Sequence, residues 1–277
     1  MSQAASGMSP GTFTTPSRPL RWLITGCSSG LGLALARHVL TRGHQLVATS
    51  RCPESTPALV AEVERAGGRW ARLDVTDPDC GAVLQTLEDE EGLEVDVLVS
   101  CAAASVHSVA EAFTEEEVRA QTELLYFGPF RLVRAAVPRM RARRFGVVVH
   151  VLAKEVAAFN VRTLTVHLGS LNTNMPEAAK AGSRRLPGDY EGSVAEGTVG
   201  VMRDGRMVPR GDKDKAARRI FEVAMGEGAG KGHEGEFFLP LGEEMPARIR
   251  LVRDRLDHCL EVYGDVCTSI GLDAGDE

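Results

Sequence analysis

The sequence predicts an α/β fold, a doubly wound parallel sheet in a single domain, on three observations. Short apolar runs alternate along the chain with amphipathic stretches, as strands do when helices cover both faces of a sheet. A glycine-rich turn, Thr25-Gly26-Cys27-Ser28-Ser29-Gly30-Leu31-Gly32, stands between the first apolar run and the first amphipathic stretch. The length also fits: 277 residues, 43% hydrophobic and 25% charged, suit one α/β domain of ordinary size with a sizeable core.

The elements follow in order. Residues 1–18 are rich in Ser, Thr, Gly and Pro and read as a disordered leader, with the domain covering residues 19–277. Leu20, Trp22, Leu23 and Ile24 fill a buried first strand; Leu31, Leu33, Leu35, Ala36, Val39 and Leu40 supply the buried face of the first helix. Residues 44–50 form a second strand, Pro57 to Ala66 a helix, Arg69 to Leu73 a third strand and Gly81 to Glu91 another helix. Glu94 to Ser100 is the fourth strand. Thr114-Glu-Glu-Glu117 is a capping box that opens a long helix to about Arg144, with Pro138 as a kink. Val147 to Val151 is a buried fifth strand and Val161 to Gly169 a sixth. Phe237 to Leu241 is a last strand, and Pro246 to Val262 an amphipathic closing helix.

The turn carries the chemistry. Gly26 permits a sharp reversal, Gly30 a close approach of backbone to a pyrophosphate, and Gly32 tight packing of helix on strand; the helix N-terminus then offers free N–H groups to an anion. Arg51 directly follows the second strand, where a carboxylate would meet the ribose 2′-hydroxyl of NAD. Its planar fork suits a 2′-phosphate instead, which favours NADP; the plainer alternative is a solvated loop arginine. Asp74 ends the third strand, beside the adenine edge of such a cofactor.

Other function classes find little support. A formal net charge of −6 gives no footprint for nucleic acid or an acidic membrane surface. The run Arg139-Met-Arg-Ala-Arg-Arg144 reads as a helix C-terminus whose cations complement the dipole. The apolar runs are short for a membrane span. The seven histidines lack ligand spacing, so no metal site is expected. The six cysteines form no CxxC pair and read as reduced thiols of a cytoplasmic protein.

Taken as a set, four positions resemble the short-chain dehydrogenase/reductase family over residues 19–270: Thr25-Gly26-x-x-x-Gly30-x-Gly32, Asp74-Val75, Phe127-Gly128-Pro129, and Gly169 with Thr173. The stretch from Gly211-Asp-Lys-Asp-Lys215 onward is similar to fungal members. The resemblance implies a Rossmann-type fold and an oxidoreductase that interconverts a secondary alcohol and a carbonyl on a small hydrophobic substrate. It implies that Gly26, Ser28, Gly30, Leu31, Arg51, Asp74 and Thr173 contact NADP, Thr173 reaching the nicotinamide amide. Residues 178–208, Gly-rich and irregular, occupy the place of the family's substrate lid or form a plain surface loop.

The catalytic set that the resemblance implies is missing. The family uses a Ser after the fifth strand, a Tyr-x-x-x-Lys on the following helix and an Asn in the long helix. The residues four beyond Tyr126, Tyr190 and Tyr263 are Phe130, Val194 and Cys267; Leu125 stands at the Asn position, and Cys101-Ala102-Ala103 replaces Asn-Ala-Gly. Leu152 to Asn160 resembles the end of the family's crossover helix, joined to the fifth strand with roughly thirty residues gone, so Lys154 matches a surface position. No catalytic residue is assigned. A nine-residue helix spans only about 14 Å, whereas a parallel crossover needs a dozen or more residues; apolar surface is therefore expected beside the fifth and sixth strands. The loss of one block fits a splicing or gene-model error, while Cys101 and Leu125, outside it, fit divergence. Cys101 reads as a buried filler. A catalytically inactive dinucleotide-binding or scaffold protein is the alternative reading, and self-association stays open.

Overall fold

The computed structural model describes residues 13–149, 160–174, 180–204 and 209–269. A six-stranded parallel sheet runs in the order β3-β2-β1-β4-β6-β7. Its strands are β1 (Arg21–Ile24), β2 (Gln45–Ser50), β3 (Arg69–Arg72), β4 (Val97–Val99), β6 (Gly146–Val149) and β7 (Val161–Thr163). Between β4 and β6 lies β5 (Val106–His107), and beyond β7 come β8 (Thr165–Leu168), β9 (Lys180–Ala181) and β10 (Phe238–Leu241). The pairs β8–β10 and β5–β9 are parallel two-stranded sheets.

Both faces of the sheet's centre are covered, so Trp22–Ile24 of β1, with β4 and β6, are apolar on both sides. Trp22, Ile24, Val97, Val99, Val147 and Val149 face one core, against α1 (Gly30–Thr41) and the helix Lys213–Met225. Leu23, Leu98, Val148 and Val161 face the other, against α3 (Ala82–Gln85) and Leu132, Ala136 and Met140 of a long helix. The remaining helices are α2 (Pro57–Arg65), α4 (Glu115–Thr122), α5 (Gly128–Arg143), α6 (Val194–Arg203), α7 (Lys213–Met225) and α8 (Met245–Thr268).

Several expectations change. The third-strand helix is shorter: α3 passes at Thr86–Glu90 into a wider π-helical turn. The long helix opens on the expected capping box, Thr114 with Glu117, and a π turn at Glu123–Phe127 divides it into α4 and α5; Pro138 lies inside α5. The expected sixth strand is two. Leu164 N–H still donates to Val148 O at 2.8 Å, but Thr165 N–H donates to Phe237 O at 2.7 Å, so the chain leaves β6 and takes β10 as its neighbour. Residues 13–18, expected in the leader, lie on the domain: Phe13 stacks on Phe145, Thr15 Oγ1 donates to Met225 O, and Arg18 forms a two-pronged pair with Asp96. An aromatic ring and a fork-shaped cation have partners there, so the fold extends back beyond Pro19; residues 1–12 are outside the described set. The closing helix is longer than expected and buries only Met245.

The expected crossover, including Lys154, also lies outside the described residues, apart from Asn160. The strands it would join are buried: Val147, Val148 and Val161 are all at most 2% exposed. Exposure starts at the β8–β10 pair, where His167, Phe238 and Pro240 face solvent and only Leu239 and Leu241 of β10 pack on the core. Leu125, Tyr126, Phe127 and Phe130 of the long helix are also exposed.

Candidate functional site

The strand order reverses between β1 and β4, so the carboxyl ends of these two strands border a crevice, the usual ligand position in doubly wound sheets. The glycine turn leaves β1 at this point. Thr25 N–H donates to Val99 O at 2.9 Å, and Thr25 Oγ1 accepts the N–H groups of Cys101 and Ala102, each at 3.0 Å. One hydroxyl thus fastens the turn to the loop after β4. Sequence reasoning placed Thr25 in the motif without this role; the signal was a polar residue closing an otherwise apolar strand.

Gly26 has φ +73°, and a Cβ there would lie 2.7 Å from Ala102 Cα. A Cβ on Gly32 would meet Gly26 O at 2.5 Å. Both positions therefore require glycine for closeness, Gly26 also for its backbone. Gly30, at φ +58°, opens α1 and faces the methyl side of Thr173, which reaches it from the loop after β8. No side chain caps α1 and its first turn holds no acid, so its leading N–H groups and positive dipole end suit an anion. Ser28 and Leu31 flank this end, Leu31 resting on the core. The cradle fits a pyrophosphate.

Arg51 is exposed just past β2, and Asp74 follows β3. Burial alone would push the Asp74 carboxyl up; the Thr76 hydroxyl and N–H, bonded to its Oδ1 at 2.7 and 3.0 Å, with the charges of Arg51 and Arg72, hold it below the usual carboxylate range. Arg51 and Arg72 therefore both lie in the field of Asp74, at the edge where an adenosine phosphate would arrive. Ser50, the last residue of β2, is occupied: Trp70 Nε1 donates to its Oγ at 3.0 Å. Gly128 packs on the Asp74-Val75 loop so closely that a Cβ would stand 2.4 Å from Val75 O. Two of the sequence motifs thus touch.

The loop that holds Thr173 is anchored from the far end of the chain. Ser170 N–H donates to Glu244 Oε1 at 2.8 Å, and a Cβ on Gly169 would run into the same carboxylate. Glu244's own N–H and that of Ser170 hold its carboxyl below the usual range. The sequence carried no signal for this contact, 74 residues long-range. The expected lid segment is tied down as well. β9 pairs with β5, and Ser183 N–H donates to Glu117 Oε1 at 2.6 Å, while Oε2 of the same carboxylate closes the α4 capping box on Thr114 N–H. A cavity of ≈ 810 Å³ lies within this segment, lined by residues including Ser108, Arg184, Arg185 and Tyr190; a second, of ≈ 430 Å³, lies at the opposite, amino-terminal end of β1 and β2.

The described tyrosines are poorly suited to proton transfer. Glu111 beside Tyr190 pushes its phenol up, the reverse of what a catalytic tyrosine needs. Tyr126 is 61% exposed and stacks on Phe130. Tyr263 is exposed on α8. Leu125 sits in the π turn with its side chain toward solvent. Burial pushes the Cys101 thiol up to about 12, which keeps it protonated and unreactive. Among the described residues no group of three His, Cys, Asp or Glu is placed to hold a metal ion, and no helix is long and apolar enough to cross a membrane.

The comparisons with known proteins agree with this geometry. The family model described as short chain dehydrogenase matches residues 21–152. Oxidoreductase claN of Passalora fulva is 30% identical over 215 residues, 67% of this chain and 98% of that protein. A short-chain dehydrogenase of Streptomyces avermitilis superposes with a TM-score of 0.79 at 27% identity, covering 93% of this chain and 100% of that one. A short-chain dehydrogenase of Sphingobium yanoikuyae in complex with NADPH has the same fold, with a TM-score of 0.64 at 18% identity over 92% and 99% of the two chains. The chain belongs to the short-chain dehydrogenase family, oxidoreductases with a dinucleotide-binding fold.

Proposed function

We propose that the chain binds NADP(H) at the glycine turn, as a member of a family whose reaction interconverts a secondary alcohol and a carbonyl on a small hydrophobic molecule. The observation that carries this reading is the uncapped N-terminus of α1, preceded by Gly26 and opened by Gly30, both at positive φ, and set at the switch point of the sheet. When bound, the cofactor supplies or accepts a hydride. The chain's own residues would hold it: Gly26, Ser28, Gly30 and Leu31 at the pyrophosphate, Arg51 and Arg72 at the 2′-phosphate, Asp74 at the adenine and Thr173 at the nicotinamide end. Arg51 at the β2–β3 edge, with Arg72 beside it in an ion pair with Glu54, supports NADP over NAD. The NADPH complex of the Sphingobium protein lends further support. The unpaired thiols suit a reducing cytoplasm.

A second reading, binding without turnover, is favoured by one specific observation: the sequence contains no Tyr-x-x-x-Lys. Calorimetric titration with NADPH and NADH, followed by NADPH consumption with a panel of small hydrophobic ketones, separates the two. Tight NADPH binding with steady consumption supports the reductase. Tight binding without consumption supports the silent binder. Failure of NADPH to bind overturns both.

A further inference from the structure

We propose that α8 is a self-association helix, which pairs antiparallel with α8 of a second copy of this chain. The helix spans 24 residues, about 36 Å at 1.5 Å per residue. After Met245 its residues are exposed, with Gly264 alone partly shielded. Ile249, Val252, Leu256, Cys259, Tyr263 and Val266 nevertheless repeat at alternating intervals of three and four, the a and d positions of a coiled coil. Leu256, Tyr263 and Val266 are each about 60% exposed on the free chain. A seam of that period on a helix that packs against almost nothing of its own domain is specified for another helix.

The charges select the occupant and its direction. The first half of α8 carries Arg248, Arg250, Arg253 and Arg255 against one acid, Asp254; the second half carries Asp257, Glu261 and Asp265 and no Lys or Arg. A parallel partner would set arginines beside arginines. An antiparallel copy sets the basic half of each helix along the acidic half of the other and also opposes the two helix dipoles. The seam agrees with this direction. A two-fold axis between Asp257 and His258 places Leu256 against the partner's Cys259, Val252 against the partner's Tyr263 and Ile249 against the partner's Val266. Each a position then meets a d position, with no slip in register. The balance of four arginines and four acids along α8 gives an anionic lipid surface nothing to attract.

Sedimentation velocity on the full chain tests the proposal at micromolar concentration. The unmodified chain should sediment as a dimer, and L256E/Y263E should weaken that dimer by roughly two orders of magnitude. Both sites are exposed, so the variant should remain a folded monomer with the parent's far-UV circular dichroism, and its melting temperature should lose the parent's dependence on protein concentration. Direction is read from Leu256→Cys under mild oxidation, with linkages mapped by mass spectrometry in the disulfide-bonded dimer, since a 256–259 bond within one chain leaves a monomer: 256 joined to the partner's Cys259 supports the antiparallel pair. Links of 256 to 256 and 259 to 259 overturn it. A monomeric parent chain, a dimer that survives L256E/Y263E, or a monomer that sediments with phosphatidylcholine vesicles would each overturn it too.

Discussion

Gly26 shows how closely one residue type is bound to one geometry. Its φ of +73° is reached at little cost only without a Cβ, and a Cβ would stand 2.7 Å from backbone that Thr25 Oγ1 holds in place. Gly26→Ala is expected to cost about 2 kcal/mol of stability, read from urea unfolding, and to weaken NADPH binding. Arg51 tests selectivity at the same site. Arg51→Ala should lower NADPH affinity roughly tenfold, about 1.4 kcal/mol, and leave NADH affinity within twofold; no loss for either cofactor would leave it a solvated loop arginine. Glu222 sets a pH dependence away from the site. Hydrogen bonds from Arg218, opposed by burial and reinforced by Arg219 and Ala229 N–H, hold its carboxyl down from 4.5 to about 2. A depressed carboxyl adds stability that is complete above 4.5 and lost as pH falls through about 2. The melting temperature should therefore fall with acidification across that window, and Glu222→Gln should flatten the fall.

At the scale of elements, local rules were legible and remote partners were not. The capping box was readable because Thr114 and Glu117 are neighbours in sequence; that Glu117 also accepts the N–H of Ser183 depends on a partner 66 residues away. The glycine turn was readable because three glycines at fixed spacing express one backbone path. The anchor of Thr173 was not, since Glu244 meets Ser170 only once β8 and β10 are side by side. The sixth strand read as one because its apolar pattern is continuous; the change of neighbour at Leu164 is a fact of the sheet, not of the strand. The apolar stripe of the closing helix was legible too, but period alone does not say which surface will cover it. Glu117→Ala should therefore do more than uncap α4. With the latch gone, trypsin should cut after Arg184 and Arg185 several times faster than in the parent chain, whereas Thr114→Ala, which spares the Ser183 contact, should leave the cutting rate nearly unchanged.

Across the whole molecule, the sheet has a well-covered centre and a thin margin. α3 and α5 bury Leu23, Leu98, Val148 and Val161 on one face, whereas the separate β8–β10 pair presents His167, Phe238 and Pro240 to water. The family places a crossover helix between the fifth and sixth strands. Here the residues between β6 and β7 are too few to run such a helix the length of the sheet and back. The long helix that would neighbour it exposes Leu125, Tyr126, Phe127 and Phe130, with Tyr126 stacked on Phe130 at 6.3 Å and edge-to-face on Phe127 at 5.2 Å. Contiguous apolar surface of this kind attracts hydrophobic dyes in the native state. Phe130→Glu with Tyr126→Glu removes most of it without touching the buried face of α5, so native-state ANS fluorescence should fall severalfold while the melting temperature stays close to the parent's. Inserting the family's crossover segment after Val151 should lower the dye signal as well, and raise the melting temperature, because an added helix beside α5 would cover the exposed aromatics. A parent chain that melts cooperatively and binds no ANS would mean that the short connection covers this face unaided.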